Sequence, residues 1–219
     1  MGVYPGSSIT GTGSVTGSFA VITEAAALLQ AQTDLTAAYN AAAALGATHD
    51  LSGQNLGGMT LVPGVYSFSS EALLTAGTKT LTLNAEGNAN AQFVFQITST
   101  LTTASNSSVV TINGGLTPDC SVFWQVGSSA TLGTGTAFEG HILALTSIAL
   151  QTGATILDGS ALARNGAVTL DTNTITNCVP GSALATPEPG AMTLALIGAP
   201  LMGLFALVGK RLRERRARN

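Results

Sequence analysis

The chain has 219 residues and a mass of 21.9 kDa, enough for one substantial core or one solenoid and too short for two large domains. Only 9% of residues are charged, while 45% are hydrophobic and 26 are glycine; the surface is therefore covered by small neutral polar groups, and the apolar content excludes a disordered chain. Lys210, Arg211, Arg213, Arg215, Arg216 and Arg218 crowd the last ten positions, leaving Lys79 and Arg164 as the only cations in a body that carries many carboxylates. Such a body cannot neutralise a run of phosphates, which excludes nucleic acid as a partner.

The N-terminus, Met1-Gly2-Val3-Tyr4-Pro5-Gly6, has neither a charged nor an apolar leader region and passes directly into turn-rich sequence. Residues 19–45 are rich in Ala, Leu and Gln, lack Pro and Gly, and place Ala25, Leu28, Leu29, Leu35 and Tyr39 at helical spacing before Gly46. They predict one long helix with a glycine stop. From there the chain changes to short runs of Thr, Val, Phe and Ile separated by Gly, Asn and Ser, which is strand-and-turn chemistry.

Within those runs a Leu-x-Thr unit recurs, beginning at Leu73, Leu101, Leu132, Leu150 and Leu170. The last two steps, 18 and 20 residues (150−132 and 170−150), suit one coil of a β-solenoid, and the longer early steps leave room for loops. More apolar strands precede most copies, namely 93–97, 122–126 and 141–145, and stacking would merge them into one core that includes Trp124. Neighbouring strands lie about 4.8 Å apart and alternate residues on a strand about 6.7 Å apart, so a repeated Thr column becomes a flat lattice of hydroxyl and methyl groups. In a straight strand, however, Leu101 and Thr103 point to the same side, as does every Leu-x-Thr pair. Either these threonines are buried or the chain turns a corner between the two residues.

Cys120 and Cys178 permit one bridge or two free thiols. His49, expected in a loop, and His141, at a strand start, are too few and too isolated for a metal site. Asp158 and Arg164 are expected to form a structural ion pair, and the remaining carboxylates are too scattered for a polysaccharide-cleaving centre.

Residues 181–190 read as a linker containing Pro187, Glu188 and Pro189, followed by an uncharged apolar stretch at 191–209 and a basic tail at 210–219. The stretch is about the 20 residues that cross a bilayer as a helix, and a basic cluster beside a span stays cytoplasmic. The order of Pro-Glu-Pro, apolar helix and basic tail resembles the PEP-CTERM sorting signal of Gram-negative bacteria, in which an exosortase processes an exported protein held in the inner membrane. That resemblance implies export to the cell envelope or beyond, and hence a leader upstream of Met1, where earlier strand sequence is also expected.

The body, about Gly2 to Cys178, resembles the microbial ice-binding protein family, most densely in 31–40, 61–66, 122–130 and 162–168. The resemblance implies an irregular right-handed β-helix over 1–180 with the long helix packed alongside, secretion, ice as the partner and no cofactor; the chain is further expected to be non-catalytic and monomeric. The ice-binding motif of that family, Thr, then Ala or Gly, any residue, then Thr or Asn, matches at Thr75 to Thr78, Thr103 to Asn106 and Thr152 to Thr155. It departs at Thr134-Gly135-Thr136-Ala137 and at Thr172-Asn173-Thr174-Ile175. The implied ice face thus carries Thr75, Thr78, Thr103, Asn106, Thr134, Thr136, Thr152, Thr155, Thr172 and Thr174. A non-catalytic surface adhesin or matrix protein is the alternative role for the same solenoid.

Overall fold

The computed structural model describes residues 25–114 and 120–177. The chain divides into units of residues 1–180 and 181–219, and all described residues belong to the first. The expected membrane span, sorting motif and basic tail lie outside them. Among the described residues no helix is long and apolar enough to cross a membrane.

One helix, α1 (Ala25–Ala44), precedes fifteen strands. In chain order these are β1 (His49–Asp50), β2 (Thr60–Leu61), β3 (Gly64–Phe68), β4 (Ala72–Leu74), β5 (Thr80–Asn84), β6 (Phe93–Ile97), β7 (Leu101–Thr103) and β8 (Ser108–Ile112). There follow β9 (Val122–Val126), β10 (Ala130–Leu132), β11 (Ala137–Ala144), β12 (Ile148–Leu150), β13 (Thr155–Ala163), β14 (Val168–Thr169) and β15 (Thr174–Ile175). All strand pairs are parallel, each strand pairing with its counterpart one coil along the chain. This is a solenoid with three faces per coil.

The first face runs β1, β3, β6 and β9, then the second halves of β11 and β13. The second runs β4, β7, β10, β12 and β14 as a separate five-stranded sheet. The third runs β2, β5 and β8, then the first halves of β11 and β13, then β15. Because β11 and β13 continue around a corner, the first and third faces join in one ten-stranded sheet. The β11–β13 register shifts between Glu139 and His141, at that corner. Only glycine fits there: a Cβ on Gly159 would lie 1.9 Å from the Gly140 carbonyl oxygen.

Alternation along each strand sends one set of side chains inward, and in-register stacking lines up like with like. Tyr66, Phe95 and Trp124 occupy one register column, with ring centres 5.4 and 3.8 Å apart, and Phe138 tilts against Trp124 at 4.9 Å. Both polar handles in this column are satisfied. The Trp124 indole donates to the Glu139 carbonyl at 3.0 Å and the Tyr66 hydroxyl donates to the Val62 carbonyl.

The helix lies on the first face. Of its apolar positions, Leu35, Tyr39 and Ala42 are buried against Val94 and Leu143, whereas Leu29 stays exposed. Its last carbonyls are capped from the solenoid, since Gln96 Nε2 donates to Ala42 O at 2.8 Å and Leu45 O at 2.7 Å. The Arg164 guanidinium sits over the Tyr39 ring, 4.7 Å from its centre, rather than pairing with Asp158 as expected. His49 lies in β1 rather than a loop and stacks on Tyr66 at 5.0 Å. Burial holds the His141 imidazole below its ordinary value of 6.5, and its Nδ1 lies 2.9 Å from the Ser160 hydroxyl.

Candidate functional site

Two of the three faces are unsuited to meeting a flat, extended partner. The first is covered by α1. On the third, β8 and β11 pair only at Ser108 and Ala137, and beyond that point exposed Val110 and Leu157 flank the buried Glu139 carboxylate, which accepts hydrogen bonds from the Thr111 N–H and hydroxyl.

The second face is regular. In each of β4, β7, β10 and β12 the outer two residues point inward and the middle one outward. Registers join these middle residues, with Thr169 of β14, into one column: Leu73, Thr102, Thr131, Ala149 and Thr169. Ladder hydrogen bonds bring Thr100, Ser129 and Ser147 alongside on the strand entries. The result is a lattice of methyl and hydroxyl groups with the spacings of the sheet itself. Glu71 and Asp171 stand only at its margins.

The strands of this face end at a corner built by left-handed residues. Asn106, Gly135, Gly153 and Thr172 all have positive φ, between 54° and 69°. They stack through ladder bonds from Asn106 N to Thr134 O, Gly135 N to Thr152 O and Gly153 N to Asp171 O, at 2.8, 3.0 and 3.1 Å. Asn and Gly adopt this region readily.

Against this frame the ten implied ice-face residues separate. Thr134 and Thr152 are exposed at the corner, and the Thr152 hydroxyl donates to Asp171. Thr75 is half-buried beside the flat face, its hydroxyl accepting from Asn55 Nδ2 at 2.8 Å. Thr78 is exposed past the corner. Thr155 and Thr174 lie in register on the third face, and Asn106 and Thr172 form the turn itself.

Thr103 and Thr136 do not belong on an ice face, because both are buried, at 4% and 0% exposure. Their hydroxyls lie 2.9 Å apart; Thr136 donates to Ala104 O at 3.1 Å, and Thr103 accepts the Gly133 N–H at 2.9 Å. They are interior staples that satisfy backbone groups where the chain bends. Both alternatives for the Leu-x-Thr pair therefore occur: Thr103 is buried within β7, and at Leu132 and Leu150 the strand ends before the threonine.

The cause is register. Aligning Leu73 with Leu101 and Leu101 with Leu132 is incorrect, since Leu74 pairs with Thr103 and Leu101 pairs with Ala130. A one-residue slip exchanges the two sides of a strand. The Leu-x-Thr unit also marks the inward leucine and the residue past the strand end, so the outward residues Thr102, Thr131, Ala149 and Thr169 fall outside it or between its fixed positions. The signal that finds most of them is the inward pair around each: Ala72 and Leu74, Leu101 and Thr103, Ala130 and Leu132, and Ile148 and Leu150.

Cys120 is disulfide-bonded; Cys178, the other cysteine of the chain, lies outside the described residues, as do Pro187, Glu188 and Pro189. Among the described residues no group of three His, Cys, Asp or Glu side chains is placed to hold a metal.

Comparison with known proteins agrees with this architecture. The chain is 52% identical over 217 residues to an ice-binding protein of Nostoc sp. (strain HG1), covering 98% of this chain and 78% of that protein. The crystal structure of an ice-binding protein from an Antarctic biological consortium superposes with a TM-score of 0.64 at 46% identity, over 71% of this chain and 68% of that one. The ice-binding protein of the Antarctic ascomycete Antarctomyces psychrotrophicus superposes with a TM-score of 0.64 at 43% identity, over 73% and 75% of the two chains. The ice-binding-like family model matches residues 1–176, and the chain therefore belongs to the ice-binding-like family.

Proposed function

We propose that this protein is an ice-binding, antifreeze protein that adsorbs to ice through the flat second face, and so inhibits crystal growth or recrystallisation. The observation that carries the placement is the uncharged in-register column of Leu73, Thr102, Thr131, Ala149 and Thr169. A surface that orders water weakly and at regular spacing matches a crystal by summing many small contacts, each through hydroxyls and ordered water, and needs neither a charge nor a cofactor. Thr134 and Thr152 extend the surface at one corner. Thr155 and Thr174 belong to a different face and contribute little.

Thr131→Tyr places a bulky ring at the centre of the column and is expected to abolish most thermal hysteresis. Its melting temperature stays close to the parent, because Thr131 points out of the solenoid and a surface position tolerates substitution within about 0.5 kcal/mol. Thr155→Lys keeps most activity. Full hysteresis in a stable Thr131→Tyr protein would move the ice face elsewhere, and a parent protein that neither shapes crystals nor shows hysteresis would favour the adhesin or matrix role.

We further propose that residues 187–219 act as a PEP-CTERM-type sorting tail that inserts residues 191–209 in the inner membrane and presents Pro187-Glu188-Pro189 to an exosortase-type enzyme. The support is the order of motif, apolar stretch and basic tail. In an exosortase-bearing Gram-negative host, with an export leader supplied, the full chain is expected in the membrane fraction and then, shortened, outside the cell. Equal processing of a Pro187→Ala, Glu188→Ala, Pro189→Ala variant would refute the motif.

A further inference from the structure

Where the C-terminal part of α1 meets the first face, an open groove of about 620 Å³ crosses the coils, away from the flat face. One register column, Ser67, Gln96 and Gln125, contributes to its lining. Tyr39 reaches it from α1, and Asp50 lines it from β1.

Two glutamines one coil apart serve different ends. Gln96 is spent on the helix cap. Gln125 is only 7% exposed, lines the groove, and its carboxamide has no hydrogen-bond partner among the described residues. Its carboxamide can both donate and accept. The Tyr39 hydroxyl is likewise without a partner among the described residues, although its ring is fixed under Arg164. Packing thus holds two polar groups in place and leaves their hydrogen-bonding capacity to whatever fills the groove.

The lining also restricts the occupant. No lysine or arginine lines the groove, so anions lack a partner. The exposed Asp50 carboxylate accepts the Ser52 N–H and hydroxyl on Oδ1, at 2.9 and 2.5 Å, and offers Oδ2 as a further acceptor. The other polar groups of the lining are hydroxyls and amides, and together they suit a neutral ligand that offers adjacent donors and acceptors. We propose that this groove binds a saccharide unit, with the Gln125 carboxamide and the Tyr39 and Ser67 hydroxyls meeting neighbouring sugar hydroxyls.

The test follows the side-chain amide resonances of Gln96 and Gln125 in the full-length ¹⁵N-labelled chain, titrated with glucose, cellobiose, maltotriose and calcium chloride. A saturable shift of the Gln125 amide with the sugars is expected. It weakens about threefold to tenfold in Tyr39→Phe, the range expected for one lost net hydrogen bond, and Gln125→Leu abolishes sugar binding measured by calorimetry. Tyr39→Phe keeps the ring under Arg164 and decides the matter if Gln125→Leu does not fold. Tighter binding of the oligosaccharides than of glucose would identify a polymer as the source, and equal affinity a free sugar; either outcome supports the site. The proposal is overturned by a response to calcium alone, by no saturable response to any sugar, or by unchanged affinity in Tyr39→Phe.

Discussion

At the scale of single residues, the same side chain does opposite work according to which way its strand presents it. Thr131 points outward at the centre of a neutral lattice, whereas Thr103 points inward and accepts the Gly133 N–H. Thr103→Val keeps the shape and deletes the hydroxyl. It leaves that N–H unpaired and Thr136 short of a partner, at a cost of about 1–3 kcal/mol. Denaturant unfolding should show that loss, while hysteresis per folded molecule stays at the parent level. Lost hysteresis with normal stability would instead place Thr103 on the ice face. Glycine divides in the same manner: Gly153 is needed for its positive φ of 69° and has open space around it, while Gly159 is needed because the Gly140 carbonyl approaches too closely for any Cβ.

At the scale of elements, existence and type were legible and register was not. The Ala- and Leu-rich run announces its helix through composition and the absence of breakers, and the observed Ala25–Ala44 lies inside the expected 19–45. Which of its sides is buried depended on the partner: Leu35, Tyr39 and Ala42 face Val94 and Leu143, and Leu28 and Leu29 do not enter that cluster. The short strands were visible as β-branched and aromatic runs between turn residues. Their pairing could not be read from one repeated tripeptide, because the early coils step by 29 residues in register, as from Ala72 to Leu101 and from Leu101 to Ala130, while Leu-x-Thr repeats there at other intervals. In the later coils, where Leu132 pairs with Leu150, the sequence repeat and the structural register coincide. Apolar pairs flanking one residue are the better guide, because the core selects both members of the pair and leaves the residue between them free.

At the scale of the whole molecule, a solenoid is stabilised by neighbour-on-neighbour stacking, and its ends are its weakest part. The disulfide at Cys120 ties the start of β9 to another part of the chain. Cys120→Ser should lower stability by about 2–4 kcal/mol in denaturant unfolding. A reductant should bring the parent down to the variant and leave the variant unchanged; a parent insensitive to reduction would show that the bridge contributes nothing. The sequence by itself determined that this protein is a charge-poor, Thr-rich solenoid with one long helix, because composition, turn chemistry and strand propensity are local properties that survive without knowledge of the fold. Tertiary structure alone decided which face is free. The helix covers one face, a divergence between β8 and β11 interrupts another, and a one-residue difference in register determines whether a threonine meets the core or the solvent. Those outcomes depend on contacts between residues 18 to 29 positions apart, which no local pattern encodes.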